Sequence, residues 1–188
     1  DREEELTGSG VSYCALCDGA FFKGRDVAVA GGGDTACQDA VFLAGLCRKV
    51  YVIHRRDQFR AEQHNVDMLR SLPNVELVLN ARVTELKGGG ELTGVNVTDT
   101  LTGAVRALDV AALFVAVGQI PATGLFSNML ELDRKGYIVA GEDTRTGVPG
   151  LFAAGDVRTK SVRQLTTAAA DGAVAATEAC RYLRESGR

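Results

Sequence analysis

Between residues 26 and 53 the chain reads DVAVAGGGDTACQDAVFLAGLCRKVYVI. An apolar run, a glycine triplet, a helical stretch and a second apolar run follow one another without a gap. That order leaves few folds open. It predicts a β-α-β unit whose two strands are parallel and joined by a right-handed crossover. Ala36, Ala40, Leu43 and Cys47 recur at i, i+4, i+7 and i+11. This spacing gives the helix, predicted from Asp34 to about Cys47, one apolar face. RAEQHNVDMLRSL, ending at Pro73, is predicted as a second helix, and VELVL at 75–79 as a third strand. The segment from Ala81 to Asp99 reads as strands around a Gly88-Gly89-Gly90 hairpin tip, since no helix follows those glycines. ALDVAALFVAVG, GYIVAG and PGLFAAGD are predicted strands, and Gln164 to Glu185 is an Ala-rich helix. The fold class is therefore α/β and Rossmann-like.

The first glycine triplet carries a chemical expectation. Gly31-Gly32-Gly33-Asp34-Thr35-Ala36 fits G-x-G-x-x-A, and it follows a strand and opens a helix, the context that makes this pattern informative. Gly31 permits the tight turn, Gly33 lets backbone approach a pyrophosphate, and Ala36 lets the helix pack near the strand. Amides at the helix start would face the phosphates. An acidic residue at the end of the second strand would select NAD by holding the ribose 2′-OH. This chain has His54-Arg55-Arg56-Asp57-Gln58-Phe59-Arg60 there instead. Guanidinium forks suit a 2′-phosphate, so the site is expected to prefer NADPH.

Composition removes other classes. A net charge of −3 argues against a general nucleic-acid binder. No apolar run approaches the ~18 residues of a membrane span. The acidic opening DREEEL lacks a secretory signal pattern, and the absence of an initial Met suggests a segment of a longer chain or a processed product. Five cysteines without regular spacing suggest a reducing, cytoplasmic setting with one special pair. Cys37, Cys47 and Cys180 lie in helical patterns and read as small buried hydrophobes. Cys14 and Cys17 sit in VSYCALCDG. Zinc needs about four ligands, and His54 and His64 offer no supporting pattern, so no metal site is expected. A CxxC pair in a βαβ protein is better read as redox-active than as a structural disulfide.

GVSYCALCDGAFF, VAGGGDTA, IHRRDQFRA and VPGLFAAGDVR followed by RQL occur in that order, and together they resemble bacterial-type, low-molecular-weight thioredoxin reductase. That family is a flavoprotein with two dinucleotide-binding domains. The resemblance implies an NADPH-binding domain at 11–116 that carries the CxxC, the C-terminal part of a FAD-binding Rossmann-like domain at 117–188, and a linker at 1–10. The family's first FAD-binding segment has no counterpart, so the chain resembles about the last three-fifths of the enzyme, as a fragment or as a split or truncated homologue.

The resemblance also implies a relay. NADPH reduces FAD, FAD reduces the Cys14–Cys17 disulfide, and the dithiol reduces thioredoxin. Cys17 faces the flavin, Cys14 attacks the partner's disulfide, and Asp18 handles the thiol proton. Gly155 and Asp156 meet the ribityl hydroxyls of FAD, and Arg163, Gln164 and Leu165 open a helix beside its ring. Hinges are expected near Gly8–Ser12 and Gly118–Pro121, and the full-length protein is expected to be a cytoplasmic homodimer with no nucleic-acid or membrane partner. Leu16, Leu165, Gln119 and the Cys37-Gln38-Asp39 stretch depart from the family's usual residues. An alkyl hydroperoxide reductase flavoprotein, favouring NADH, a non-catalytic NADP(H)-binding redox module and a relative reduced by ferredoxin, against which the arginine cluster also speaks, are the alternatives. Arg55-Arg56 speaks against the first of them.

Overall fold

A computed structural model describes residues 2–187 and divides them into two compact units, the first running to Gly118 and the second beginning at Gln119. In the first unit, α1 (Glu3–Leu6), β1 (Val11–Ser12) and α2 (Ala15–Asp18) precede β2 (Asp26–Ala30), α3 (Asp34–Ala44) and β3 (Lys49–Ile53). α4 (Gln63–Ser71) and β4 (Val75–Val78) follow, then β5 (Ala81–Gly88), β6 (Leu92–Asp99), β7 (Val105–Leu108) and β8 (Ala112–Val115). Strands β1, β8, β2, β3 and β4 form, in that order, a sheet in which every pairing is parallel. Strands β5, β6 and β7 form an antiparallel meander.

Strand periodicity explains the layering, because successive side chains point to opposite faces. Val27, Val29, Val50, Val52, Ala112 and Phe114 point to one face and pack with Ala36, Ala40 and Leu43 of α3 and Leu69 of α4. Ala28, Ile53 and Leu113 point to the other face and pack with Leu92, Val95, Val97 and Leu108 of the meander. A sheet covered on both faces needs the near-continuous apolar strands seen here.

Some boundaries differ from the sequence expectation. The helix expected to reach Cys47 ends at Ala44, where Gly45 terminates it, although Cys47 remains buried. The helix expected from Arg60 starts at Gln63. The amides of Arg60 and Glu62 are already taken, by Gly32 O at 2.8 Å and Asp34 Oδ1 at 2.8 Å. The single strand expected over 107–118 is two, β7 in the meander and β8 in the parallel sheet. An apolar run does not reveal that the chain changes sheets within it. The segment expected as a linker forms α1 and buries Leu6 completely. Within the expected hinge at Gly8–Ser12, Gly10 O accepts from Leu113 N–H at 2.8 Å, and Val11 and Ser12 pair with β8.

The second unit ends in α5 (Leu165–Glu185). GYIVAG and PGLFAAGD make single-pair bridges, Ile138 with Leu132 and Arg158 and Phe152 with Arg145, where longer strands were expected. Gly150 and Gly155 both adopt φ +82°, which breaks a ladder after one pair. What ties α5 to its unit is a buried charge cluster. Asp171 of α5 accepts from Arg158 Nε at 2.7 Å and Nη2 at 2.8 Å, from Lys160 Nζ at 2.9 Å and from Gly155 N–H at 2.9 Å. The Arg158 guanidinium holds the Asp171 carboxyl well below the ordinary carboxylate range.

Phe114 is fully buried and meets Phe22 edge-on, with ring centroids 5.9 Å apart. Phe114→Ala should destabilise the first unit by about 3–5 kcal/mol, read from its denaturant midpoint. Asp171→Asn, which removes the buried anion shared by Arg158 and Lys160 and leaves Arg158 only the exposed Glu142 at 3.4 Å, should cost the second unit about 3–5 kcal/mol. Because the Asp171 carboxyl is depressed on folding, its stabilisation is fully present above about pH 4 and is lost as pH falls further. The wild-type advantage over Asp171→Asn should therefore shrink on acidification. An unfolding difference that does not change with pH would contradict this.

Candidate functional site

The strand order turns back on itself at β2, which has β3 on one side and β8 on the other. In open α/β sheets, such a reversal leaves a crevice at the carboxyl ends of the strands. A cleft of about 480 Å³ lies there. Gly31 and Gly32 after β2, His54 and Arg55 after β3, and Val115 and Val117 at the end of β8 line it. Gly31 cannot carry a side chain, since a Cβ would stand 2.4 Å from Ala116 O and 2.7 Å from the Ala36 Cβ. The turn is thus pressed between the end of β8 and the first turn of α3. Gly33 faces open space, with nothing within 4 Å of a Cβ built on it.

The loop after β3 forms the second wall. Arg55, Arg56 and Arg60 are exposed, and their side chains make no hydrogen bond or ion pair among the described residues. Arg55 and Arg60 line the cleft, and so does Arg82 of β5. Sequence reasoning did not single out Arg82, because only the return of the meander brings β5 to this wall. Asp34 has a different task from Thr35 and Ala36 beside it. Its Oδ1 accepts from Glu62 N–H and Asn65 Nδ2, both at 2.8 Å, and so ties the start of α4 to α3. His54 is 5% exposed, and burial pushes its imidazole below the ordinary histidine range, with Arg60, Arg56 and Arg55 adding to the shift.

Cys14 and Cys17 form a disulfide, with Cα atoms 5.3 Å apart. Cys14 is the N-cap of α2, and its sulfur accepts the Cys17 amide at 3.1 Å. Cys17 is exposed and Cys14 half-buried. Exposed Leu16 and Phe21 flank them, Phe21 at 80%. Asp18 is tied back to the strand, since Ser12 Oγ donates to its Oδ2 at 2.6 Å and itself accepts the Cys14 amide at 3.1 Å. Ser12 escaped sequence reasoning because a two-residue strand carries no period. No group of three or more His, Cys, Asp or Glu among the described residues could hold a metal ion.

In the second unit, Gly155 and Asp156 begin a 3₁₀ turn, and the Asp156 side chain is exposed. Arg163 does not project freely. Its guanidinium lies 3.8 Å from the centroid of the Tyr137 ring and donates to Asp156 O at 3.2 Å and Arg158 O at 3.3 Å. Gln164 and Thr167 form a reciprocal capping box at the start of α5, and Leu165 is 86% exposed. No helix among the described residues is long and apolar enough to cross a membrane.

The model of the pyridine nucleotide-disulphide oxidoreductase family matches residues 2–172. The chain is 45% identical over 184 residues to thioredoxin reductase of Listeria monocytogenes, with 97% of this chain and 58% of that protein aligned. It is 46% identical over 183 residues to thioredoxin reductase of Streptomyces clavuligerus, over 97% of this chain and 57% of that one. Among solved structures, thioredoxin reductase from Streptococcus pyogenes superposes with a TM-score of 0.92 at 40% identity, covering 97% of this chain and 60% of its own. The chain therefore spans somewhat under two thirds of the length of the relatives it matches. A cleft at the strand ends, a CxxC disulfide in the same unit and a match over nearly the whole chain lead to one conclusion: the chain belongs to the pyridine nucleotide-disulphide oxidoreductase family.

Proposed function

We propose that this chain is the part of an NADPH-dependent flavoprotein disulfide reductase that binds NADPH, carries the redox disulfide and contributes to the FAD site, and that thioredoxin is the protein it reduces. The observation that carries this reading is the Cys14–Cys17 disulfide in the same unit as a cleft bordered by Arg55 and Arg60, whose side chains have no partner among the described residues. The residues present fit the nucleotides. The space at Gly33 admits a pyrophosphate, and Arg55, Arg56 and Arg60 fit a 2′-phosphate. The exposed Asp156 carboxylate fits hydroxyl donors of a ribityl chain, and the N-terminus of α5 favours negative charge beside it. In this reading Arg163 steadies the Asp156 turn, and the relatives' remaining length supplies the rest of the FAD site.

Bound FAD would supply two-electron transfer from a nicotinamide to a disulfide. The chain's own chemistry starts where those electrons break the Cys14–Cys17 bond and leave two thiolates, one of which takes a proton. Cys14 attacks one sulfur of the partner's disulfide, forms a mixed disulfide and releases one partner thiolate. Cys17, as thiolate, then attacks the Cys14 sulfur, restores the Cys14–Cys17 bond and releases the second partner thiolate. Asp18, held in place by Ser12, takes the Cys17 proton and returns it to one departing partner thiolate, and the other partner thiolate takes its proton from water. Cys37 and Cys47 are buried as expected, whereas Cys180, expected to be buried, is exposed on α5; three free thiols in a chain with one exchangeable disulfide suit a reducing, cytoplasmic compartment. The full-length protein is read as a homodimer by likeness to the family.

Cys14→Ser and Cys17→Ser, each made in the full-length protein, should reduce thioredoxin turnover to background. NADPH oxidation with ferricyanide as acceptor should survive. Thioredoxin turnover that persists in either variant would remove the relay. Arg55→Ala and Arg56→Ala should each weaken NADPH binding by about tenfold or more, the loss of one charge-assisted contact of roughly 1.5 kcal/mol, and leave NADH binding nearly unchanged. Equal losses for both nucleotides would mean that the cluster does not read the 2′-phosphate.

A further inference from the structure

His54 stands at the start of the arginine loop yet is not built like a phosphate ligand. Its ring lies parallel to Phe59, with centroids 5.3 Å apart and planes 17° from each other. Its Nε2 is 3.0 Å from Gln58 O. A carbonyl oxygen only accepts, so Nε2 carries the proton and donates. The backbone of His54 is fixed as well, since its N–H donates to Val78 O and its carbonyl accepts from Ala81 N–H, both at 3.0 Å. The loop thus folds back on its own first residue, with Arg55 and Arg56 carried on the outside of the turn.

The same ring touches the glycine turn. A Cβ on Gly32 would stand 2.2 Å from His54 Cε1 and 2.2 Å from Nδ1, well inside contact distance. Arg60 N–H donates to Gly32 O at 2.8 Å. Gly32 is therefore held from one side by the ring that opens the arginine loop and from the other by the residue that closes it. In the G-x-G pattern the middle position is open to any residue. Here it is closed by His54.

We propose that His54 is a positioning residue: its buried ring, lodged over Gly32 and stacked on Phe59, sets the turn that aims Arg55, Arg56 and Arg60 at a 2′-phosphate, and it restricts position 32 to glycine. The proposal rests on the NADPH reading above. It assigns selectivity for the phosphate to a residue that does not touch the phosphate. Burial, with Arg60, Arg56 and Arg55 beside it, pushes the imidazole below the ordinary histidine range, which agrees with a ring that packs in the turn.

The test is a set of nucleotide titrations on the full chain, with NADPH and NADH measured in parallel for the unsubstituted protein, His54→Ala, His54→Phe, Gly32→Ala and the His54→Ala/Gly32→Ala double variant. Far-UV circular dichroism checks folding. His54→Ala should weaken NADPH binding by about tenfold, or 1.4 kcal/mol, with NADH changed by less than about twofold. His54→Phe keeps a ring against Phe59, so it should fold even where His54→Ala does not, and should lose only a few-fold of NADPH affinity. Gly32→Ala should impair binding of both nucleotides when His54 is present and add little when it is absent. Equal loss of NADPH and NADH in both histidine variants, no loss in either, or effects of the two substitutions that simply multiply would overturn the positioning role. If the unsubstituted chain bound NADPH no more tightly than NADH, the NADPH reading itself would fail, and this inference with it.

Discussion

The approach of backbone to backbone at Gly31 is the constraint on which the first unit depends. A Cβ there would overlap Ala116 O at 2.4 Å, so β8 could not continue beside β2 as far as it does. The contact lets Ala116 N–H reach Ala30 O at 2.8 Å while Gly31 N–H reaches Ile53 O at 3.0 Å. The end of β2 is therefore bonded to both of its neighbours at the place where the crevice opens. The same turn brings the Ala36 Cβ within 2.7 Å of that missing Cβ, which sets how closely α3 packs on the sheet. One residue without a side chain thus fixes the strand spacing, the helix approach and the floor of the cleft.

The cleft and the disulfide share the framework that this contact stabilises. β8 pairs with β2 on one side and with β1 on the other, and β1 leads directly into Cys14. Ser12 belongs to β1 and holds both the Cys14 amide and the Asp18 carboxylate. The Cys14–Cys17 disulfide is therefore mounted on the edge of the sheet whose centre forms the cleft. In the second unit a buried Asp171 does comparable work, gathering Arg158, Lys160 and the Gly155 amide beneath the Asp156 turn. Breaking such a cluster is costly because it leaves buried charge without compensation.

Much of this was legible in the residues. The β2-α3-β3 unit showed in its periodicity, and the Gly88–Gly90 hairpin tip in the lack of a following helix. The features that escaped are those that depend on contacts across the fold. β1 and α2 are too short to show a period. The change of sheet between β7 and β8 lies inside one apolar run. The reason for glycine at position 32 is the His54 ring, which is 22 residues away in sequence and sits directly over it. Asp34 and Arg163 fit a cofactor pattern by position, and each also makes a contact to residues distant in sequence, Asp34 to Glu62 and Asn65 and Arg163 to Tyr137, that spacing does not reveal.

In the proposed reading the cleft beside Gly31 reads the 2′-phosphate of NADPH through the arginine loop. Direct titration of the chain with NADPH and NADH at one fixed ionic strength tests it most simply. NADPH should bind at least about tenfold more tightly, 2′,5′-ADP should compete with it, and added salt should narrow the gap as surface charge is screened. Equal affinity for the two nucleotides, or a preference for NADH, would contradict it.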